Sequence, residues 1–159
     1  MNKIVRTAKA PTPKGPYSQA VISGGFVYVA GQVAIDPETN EFEFGTVESE
    51  TELTFKNIKA ILGSAGCKLK DVVRVGVYLK NMSSFPAMNK IYSRYFPHNP
   101  PARSTVGVEL VAGLKVEIDC VAKLPRKAAS KKKLKGGRDA KTKAKKTPGE
   151  NKPRKFGTV

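Results

Sequence analysis

Cysteine and histidine are scarce in this 159-residue chain, which has two cysteines and a single histidine. Cys67 and Cys120 lie far apart and form no Cys-x-x-Cys pair, so we expect neither a disulfide scaffold nor a multi-cysteine metal site. A single histidine excludes any metal site within one chain that needs several. His98 itself lies in the segment Pro97-His-Asn-Pro-Pro, where the prolines predict a surface loop rather than the setting of a catalytic base.

Long apolar runs are also absent, and no stretch approaches the roughly 20 consecutive apolar residues of a membrane-spanning helix. The first six residues, MNKIVR, lack the apolar core of a secretory signal. Neither of the common glycine-rich motifs that bind nucleotide phosphates occurs. These absences predict a protein with no membrane contact and no nucleotide cofactor. A reducing cytoplasm fits the cysteine usage, and a nuclear or organellar location stays open.

Acidic residues are few beside the basic ones: 13 aspartates and glutamates face 29 lysines and arginines, for a formal net charge of +16. Most of the excess lies at the C-terminus. Residues 125–159 hold fourteen bases and two acids, a net charge of +12, whereas residues 1–124 hold fifteen bases and eleven acids, a net charge of +4. Residues 125–159 also have too few large apolar side chains to offset the entropy of ordering. We therefore predict a domain over 1–124 and a basic, disordered tail over 125–159.

The tail has several open interpretations. It is typical of a solvated, solubilising extension, of a phosphate-binding arm for RNA or DNA, and of a nuclear-import signal. Recognition of individual bases is not expected, because the tail lacks the interleaved aromatic side chains on which bases stack.

Hydrophobic periodicity within 1–124 predicts a mixed α+β domain with the element order ββ-α-β-α-ββ. The predicted strands are Tyr17–Ile22, Phe26–Val33, Val72–Lys80, Arg103–Val111 and Lys115–Lys123, with a short edge strand at Ile4–Thr7. Ser23-Gly24-Gly25 predicts a hairpin turn and residues 36–40 a second turn. One helix runs from a cap at Ser49 or Thr51 to Gly66, and a second carries the apolar stripe from Phe85 to Phe96. One helix-covered mixed sheet is the economical architecture.

Polar side chains recur along the last two predicted strands. Alternation places Arg103, Thr105, Gly107 and Glu109 on one face of their strand. We expect this face to point away from the helices and, when covered by another subunit, to form a partly desolvated cleft that contains Arg103 and Glu117. Arginine offers a planar fork for a carboxylate, and a half-buried glutamate can activate a water. The alternative is a structural Arg–Glu pair on a solvated face.

Five sequence blocks in register resemble the RidA family, also called YjgF/YER057c/UK114. The blocks are Gly15-Pro-Tyr-Ser-Gln-Ala20, Ala30-Gly-Gln32, Asn81-Met82 leading to Met88-Asn-Lys-Ile-Tyr92, Pro101-Ala-Arg-Ser104 and Val116-Glu-Ile118. The resemblance spans about residues 4 to 124. It implies a chorismate-mutase-like α+β fold, in which two helices pack on one face of a mixed, mainly antiparallel sheet. It also implies a homotrimer with an active site in each cleft between subunits.

The resemblance further implies a deaminase that acts without metal or cofactor. Family members hydrolyse reactive enamine and imine intermediates, typically 2-aminoacrylate/2-iminopropanoate and 2-iminobutanoate, to 2-oxo acids and ammonia. By resemblance Arg103 binds the substrate carboxylate, and Glu117 activates the attacking water and returns a proton to the leaving ammonia. Tyr17 and Asn89 line the pocket, and the Thr105 backbone contacts the substrate.

Two positions depart from the family pattern. Ala30 stands where many members have serine, and Thr105 stands where many have cysteine two residues after the arginine. Both departures concern the range of substrates rather than the arginine and the acid.

Two further functions remain open. Some relatives carry endoribonuclease and translation-inhibitor labels, and the tail gives an independent reason to expect affinity for RNA or another polyanion. The single histidine argues against RNA cleavage by a histidine pair. The other function is that of a non-enzymatic, chaperone-like or small-carboxylate-binding member.

Overall fold

The computed structural model describes residues 2–125, so the predicted tail beyond Pro125 lies outside the described residues. Six strands form one sheet: β1 Lys3–Val5, β2 Ala20–Ser23, β3 Phe26–Gln32, β4 Val72–Leu79, β5 Ala102–Gly107 and β6 Val116–Lys123. The helices are α1 Val47–Ser64 and α2 Phe85–Tyr95, and single 3-10 turns lie at 69–71, 82–84 and 111–113. No helix in this part of the chain is long and apolar enough to cross a membrane.

The sheet has the strand order β1-β2-β3-β6-β4-β5. The β4–β5 pair is parallel and the other pairs are antiparallel. The prediction of a mixed, mainly antiparallel sheet is therefore confirmed, as is the edge position of the short N-terminal strand. Strand β5 pairs with β4 along one side only, and no strand among residues 2–125 pairs with its other side, so β5 is the second edge strand of the sheet.

The predicted hairpin between β2 and β3 is confirmed. Ser23 pairs with Phe26, so only Gly24 and Gly25 form the turn. Both have positive φ, +57° and +83°, a combination that glycine adopts at little cost and that a two-residue hairpin turn needs. Strand β2 begins at Ala20 rather than at the predicted Tyr17, because the residues before Ala20 lie in a loop outside the strand ladder. The side chain of Gln19, at the end of this loop, makes hydrogen bonds to the backbone of Thr7, Ala10 and Pro11.

The N-cap of helix α1 lies three residues before Ser49 and five before Thr51, the two predicted caps. Thr46 is the N-cap, and its side-chain oxygen accepts a hydrogen bond of 3.2 Å from Ser49 N. The prediction of Ser49 or Thr51 as the cap is wrong, since Thr51 is buried inside the helix and donates to Val47 O. The predicted stop at Gly66 is confirmed by its φ of +79°.

Both helices pack on one face of the sheet. Aromatic side chains join them: the Phe55 ring of α1 stacks on Tyr95 at 4.4 Å and meets Tyr92 edge-on at 5.7 Å. Alternate residues of the two central strands point into this core and are almost fully buried, namely Val75, Val77 and Leu79 of β4 and Val116, Ile118 and Cys120 of β6. The side chains between them face away from the helices and form the open face of the sheet.

Candidate active site

Arg103 lies on the edge strand β5 and points toward the helices. In the parallel β4–β5 pair Arg103 is level with Val75, whose side chain is fully buried in the helix-covered core. Its guanidinium carbon lies 4.3 Å from the centre of the Tyr92 ring, and its Nη1 donates to Asn89 Oδ1 over 2.9 Å. The expectation that Arg103 faces away from the helices is therefore wrong. Alternation identifies which residues share a face, but the packing of α2 decides which face is covered.

The partners of Arg103 are uncharged. Besides Asn89 and Tyr92, the ring of Phe85 lies 5.5 Å from the guanidinium carbon. The three ion pairs found among residues 2–125 join other side chains, so no carboxylate of the described chain neutralises Arg103. Its charge remains available to an anion, and its planar fork suits a carboxylate.

Thr105 lies two residues beyond Arg103 on the same face of β5. Its hydroxyl oxygen is buried and has no hydrogen-bond partner in the described part of the chain. A buried hydroxyl without a partner is uncommon, because its desolvation is left uncompensated. Thr105 therefore has unused hydrogen-bonding capacity on the same face of β5 as Arg103.

Glu117 lies on the open face of the sheet. It lines a cavity of about 420 Å³ together with Tyr17 and Gly31, while Val33 and Phe42 supply apolar walls. Tyr17, which lines this cavity, is 52% exposed. Lys14 also lines it, with its Nζ 5.2 Å from the centre of the Phe42 ring.

The Glu117 carboxylate packs directly against the backbone of β3. A Cβ atom at Gly31 would overlap Glu117 Oε1, so the close approach requires glycine at this position. Burial raises the pKa of Glu117 above its ordinary value, and the nearby Asp119 carboxylate raises it further. Asp119 itself accepts a 2.7 Å hydrogen bond from the Tyr78 hydroxyl. A carboxyl group with a raised pKa is a stronger base once ionised, which suits proton transfer near neutral pH.

One chain does not bring Arg103 and Glu117 together. Glu117 pairs with Tyr78 of β4, whereas Arg103 pairs with Val75, three residues away along the same strand. The two side chains are thus separated by about 10 Å along the strands and about 10 Å across them, and they point to opposite faces. The expectation of one cleft on one face is wrong for a single chain. Each chain instead carries two separate clusters of candidate residues: Arg103, Asn89 and Thr105 form one, and Glu117 and Tyr17 form the other.

The remaining predicted positions lie as follows. Ala30 lines the Glu117 cavity, and His98 is exposed in a bend after α2. Within residues 2–125 no group of three or more histidine, cysteine, aspartate and glutamate side chains could hold a metal ion.

Two aromatic partners of Arg103, Phe85 and Tyr92, are absent from the site that sequence reasoning predicts. Their apolar spacing along α2 predicts core residues, and Tyr92 is indeed only 5% exposed. The spacing of the sequence could have indicated them, since positions 85 and 92 fall on the same side of a helix as Asn89.

Comparison with known proteins identifies the family. The family model described as Endoribonuclease L-PSP matches residues 7–124. The chain belongs to the RidA family. A RutC family protein of Pyrococcus abyssi is 47% identical over 121 residues, which cover 76% of this chain and 95% of that protein. A protein of Dermatophagoides farinae named 2-iminobutanoate/2-iminopropanoate deaminase is 42% identical over 120 residues, 75% of this chain and 94% of its own length.

Solved RidA-family structures share the fold. RidA from an Antarctic Psychrobacter superposes with a TM-score of 0.74 at 40% identity, covering 77% of this chain and 99% of that one. Escherichia coli TdcF with bound serine superposes with a TM-score of 0.73 at 32% identity, with the same coverage of each chain. The resemblance noted in the sequence is thus confirmed.

Proposed function

We propose that this RidA-family chain hydrolyses reactive 2-imino acids, such as 2-iminopropanoate and 2-iminobutanoate, to 2-oxo acids and ammonia. The observation that carries the proposal is an arginine held by neutral partners alone, in a chain that also positions a half-buried glutamate with a raised pKa. The first group binds a carboxylate and the second moves a proton. The name of the Dermatophagoides farinae relative supports the same reaction.

The working site is assembled from two copies of the chain, in the homotrimer that the family resemblance implies. Because Arg103 and Glu117 point to opposite faces in one copy, Arg103 of one subunit serves Glu117 of a neighbour. The open face of the sheet supports this arrangement, since it exposes apolar side chains such as Tyr28 and Val106, at 47% and 46%. Burying such side chains against another copy removes them from water.

In the proposed reaction the substrate carboxylate binds the free edge of the Arg103 guanidinium. Glu117 takes a proton from a water molecule, whose oxygen forms a bond to the carbon of the protonated imine while the C=N π electrons move to nitrogen, which gives a neutral tetrahedral aminoalcohol. Glu117 then returns the proton to the nitrogen, and the C–N bond breaks with its electron pair leaving on ammonia. The hydroxyl proton passes to the ammonia as the C=O group forms. The sum is one protonated imine and one water consumed, with one 2-oxo acid and one ammonium ion formed.

The other predicted residues have supporting roles. Asn89 fixes Arg103 through their hydrogen bond, and the Thr105 backbone and unpartnered hydroxyl lie beside the bound carboxylate. Tyr17 covers the Glu117 cavity. Ala30 leaves that cavity without the hydroxyl that many relatives carry, which favours apolar substrate side chains.

Coupled turnover tests this function. A threonine dehydratase generates 2-iminobutanoate, and we expect the wild-type chain to accelerate its conversion to 2-oxobutanoate. Arg103→Ala should lose at least about 100-fold in kcat/KM because a charged, hydrogen-bonded contact is removed. Arg103→Lys should also be strongly impaired, because a point charge cannot reproduce the fork. Normal turnover by Arg103→Ala would contradict the proposal. Tight binding of 2-oxobutanoate without turnover would instead favour a non-enzymatic carboxylate-binding role.

A second candidate function rests on the charge of residues 125–159. This segment carries +12 of the net +16, and we propose that it binds RNA or another polyanion through phosphate contacts, as an extension of the domain over 1–124. Binding is favoured over RNA cleavage because the sequence has one histidine, His98, which is exposed in a bend. Three tails on one trimer would add avidity.

Truncation after Leu124 tests the tail. We expect the full chain to retain RNA in a manner that weakens steeply with salt, because lysines and arginines release counterions from the phosphates. The truncated chain should not retain RNA but should keep its imine turnover. Salt-insensitive retention by residues 1–124 would contradict the role of the tail.

A cytoplasmic location is proposed on the state of the cysteines. Cys67 and Cys120 are both buried free thiols, and free thiols persist in a reducing compartment.

A further inference from the structure

The face of α2 that holds Arg103 is built mainly from rings. Tyr92 and Phe85 contribute ring centres 4.3 Å and 5.5 Å from the guanidinium carbon, and Asn89 between them accepts one hydrogen bond. Both ring distances lie within the roughly 6 Å over which a cation is attracted to an aromatic face. The closer of the two contacts is the one with the Tyr92 ring.

The Tyr92 ring is itself closely packed. It packs against Phe55 at 5.7 Å and against Phe96 at 4.9 Å, and it is 5% exposed. A single hydrogen bond through Nη1 does not by itself set the orientation of the Arg103 guanidinium about that bond. A ring fixed in the core and lying against the guanidinium removes this freedom.

We propose that Tyr92 is a positioning residue, whose ring face orients Arg103 so that the guanidinium edge not bound by Asn89 is presented to a substrate carboxylate. The proposal rests on the proposed function for its consequence in catalysis, although the contact itself does not. It assigns Tyr92 a role beyond the core packing that its burial indicates.

The ring, and not the hydroxyl, carries this role. The Tyr92 hydroxyl is buried and makes no hydrogen bond of acceptable geometry within residues 2–125. Burial raises the pKa of this phenol, and the charge and nearby N–H groups of Arg103 lower it only in part, so the hydroxyl remains neutral at physiological pH. Tyr92→Phe therefore keeps the ring face and removes a polar atom that is not satisfied.

Kinetics with freshly generated 2-iminobutanoate separate positioning from packing. We expect Tyr92→Leu to raise KM about 10-fold while kcat changes less than about 3-fold. The reason is that a misplaced arginine weakens binding of the substrate carboxylate equally in the ground state and the transition state. Tyr92→Phe should restore KM to the wild-type value. Should Tyr92→Leu fail to fold, Tyr92→Met fills the space without a ring face and carries the same expectation.

The matched control is Tyr95→Leu. Tyr95 lies on the same helix and stacks on Phe55 at 4.4 Å, so its replacement damages the same aromatic cluster. We expect this variant to lose thermal stability with KM unchanged. Equal KM values for Tyr92→Leu and Tyr95→Leu would overturn the proposal.

A second measurement does not depend on the reaction. The Nε–Hε group of Arg103, identified in NMR spectra by its loss in Arg103→Lys, should be rigid in the wild-type chain. It should become mobile in Tyr92→Leu but not in Tyr95→Leu. Unchanged rigidity in Tyr92→Leu would overturn the positioning role whatever the substrate. Absence of wild-type turnover together with the predicted loss of rigidity would reject the proposed function alone.

Discussion

At the scale of single residues, Arg103 has only uncharged partners, which leaves its positive charge available to an anion. A carboxylate partner within the chain would have to be displaced before a substrate could bind, at a cost of several kcal/mol for a partly buried pair. Asn89 and the two rings hold the side chain without using its charge. The positive charge of Arg103 is therefore not neutralised within the described residues and can pair with an anion from outside the chain.

Glu117 has the opposite relation to its surroundings, since burial and Asp119 both disfavour its charge and raise its pKa. The folded chain then holds more protons than the unfolded chain between the two pKa values, so stability falls as pH rises through that interval. Glu117→Gln removes this ionisation. We expect its stability advantage over wild type to be larger at about pH 7 than at about pH 4 in denaturant titrations.

The control for this pH dependence is Glu109→Gln, a replacement at an exposed glutamate beyond the end of β5. It should show no comparable pH-dependent gain. An advantage of Glu117→Gln that shrinks with rising pH would show that the charged form is favoured in the fold, contrary to the account.

At the scale of elements, α1 is tied to the start of β6 by a buried carboxylate. Glu50, in the first turn of α1, accepts hydrogen bonds from Lys115 N at 2.6 Å, Lys115 Nζ at 3.1 Å and Gly45 N at 3.2 Å. The Glu50 side chain is fully buried. This junction sets the position of the strand that carries Glu117.

Glu50→Ala should lower the free energy of unfolding by about 3 kcal/mol, because it leaves donors without partners. Glu52→Ala is the matched control on the same helix. Its ion pair with Arg94 is of similar length, 3.1 Å, but exposed, so the expected loss is below about 1 kcal/mol. Denaturant unfolding of both variants measures the difference, and equal losses would contradict the structural role of Glu50.

The sequence alone predicts the helices, the hairpin and most strands, because their signals are local. Gly24-Gly25 fixes a turn and Gly66 ends a helix through backbone conformations that glycine favours. The face on which Arg103 lies is not local, since it depends on the parallel register with β4 and on which side α2 packs. A one-residue change in register would reverse it. The helical pattern likewise predicts Tyr92 only as a core residue, because its contact with Arg103 depends on the position of β5 beside α2.

At the scale of the whole molecule, most of the positive charge and the candidate site lie in different segments. The large positive charge belongs to residues 125–159, whereas both clusters of candidate residues lie within residues 2–125. The domain has an α+β fold whose open sheet face combines exposed apolar side chains such as Tyr28 and Val106 with the acidic Glu117 and Asp119. The proposed association of copies, which would join the two clusters, is supported by these exposed apolar side chains.

Mixing two inactive variants tests this central claim most directly. Arg103→Ala keeps Glu117, and Glu117→Gln keeps Arg103, so neither variant alone forms a complete site. If each site joins Arg103 of one copy to Glu117 of its neighbour, trimers reassembled from an equal mixture should regain about one quarter of wild-type imine turnover. If one chain supplied both residues, every site in the mixture would remain defective and no turnover would return, which would contradict the account.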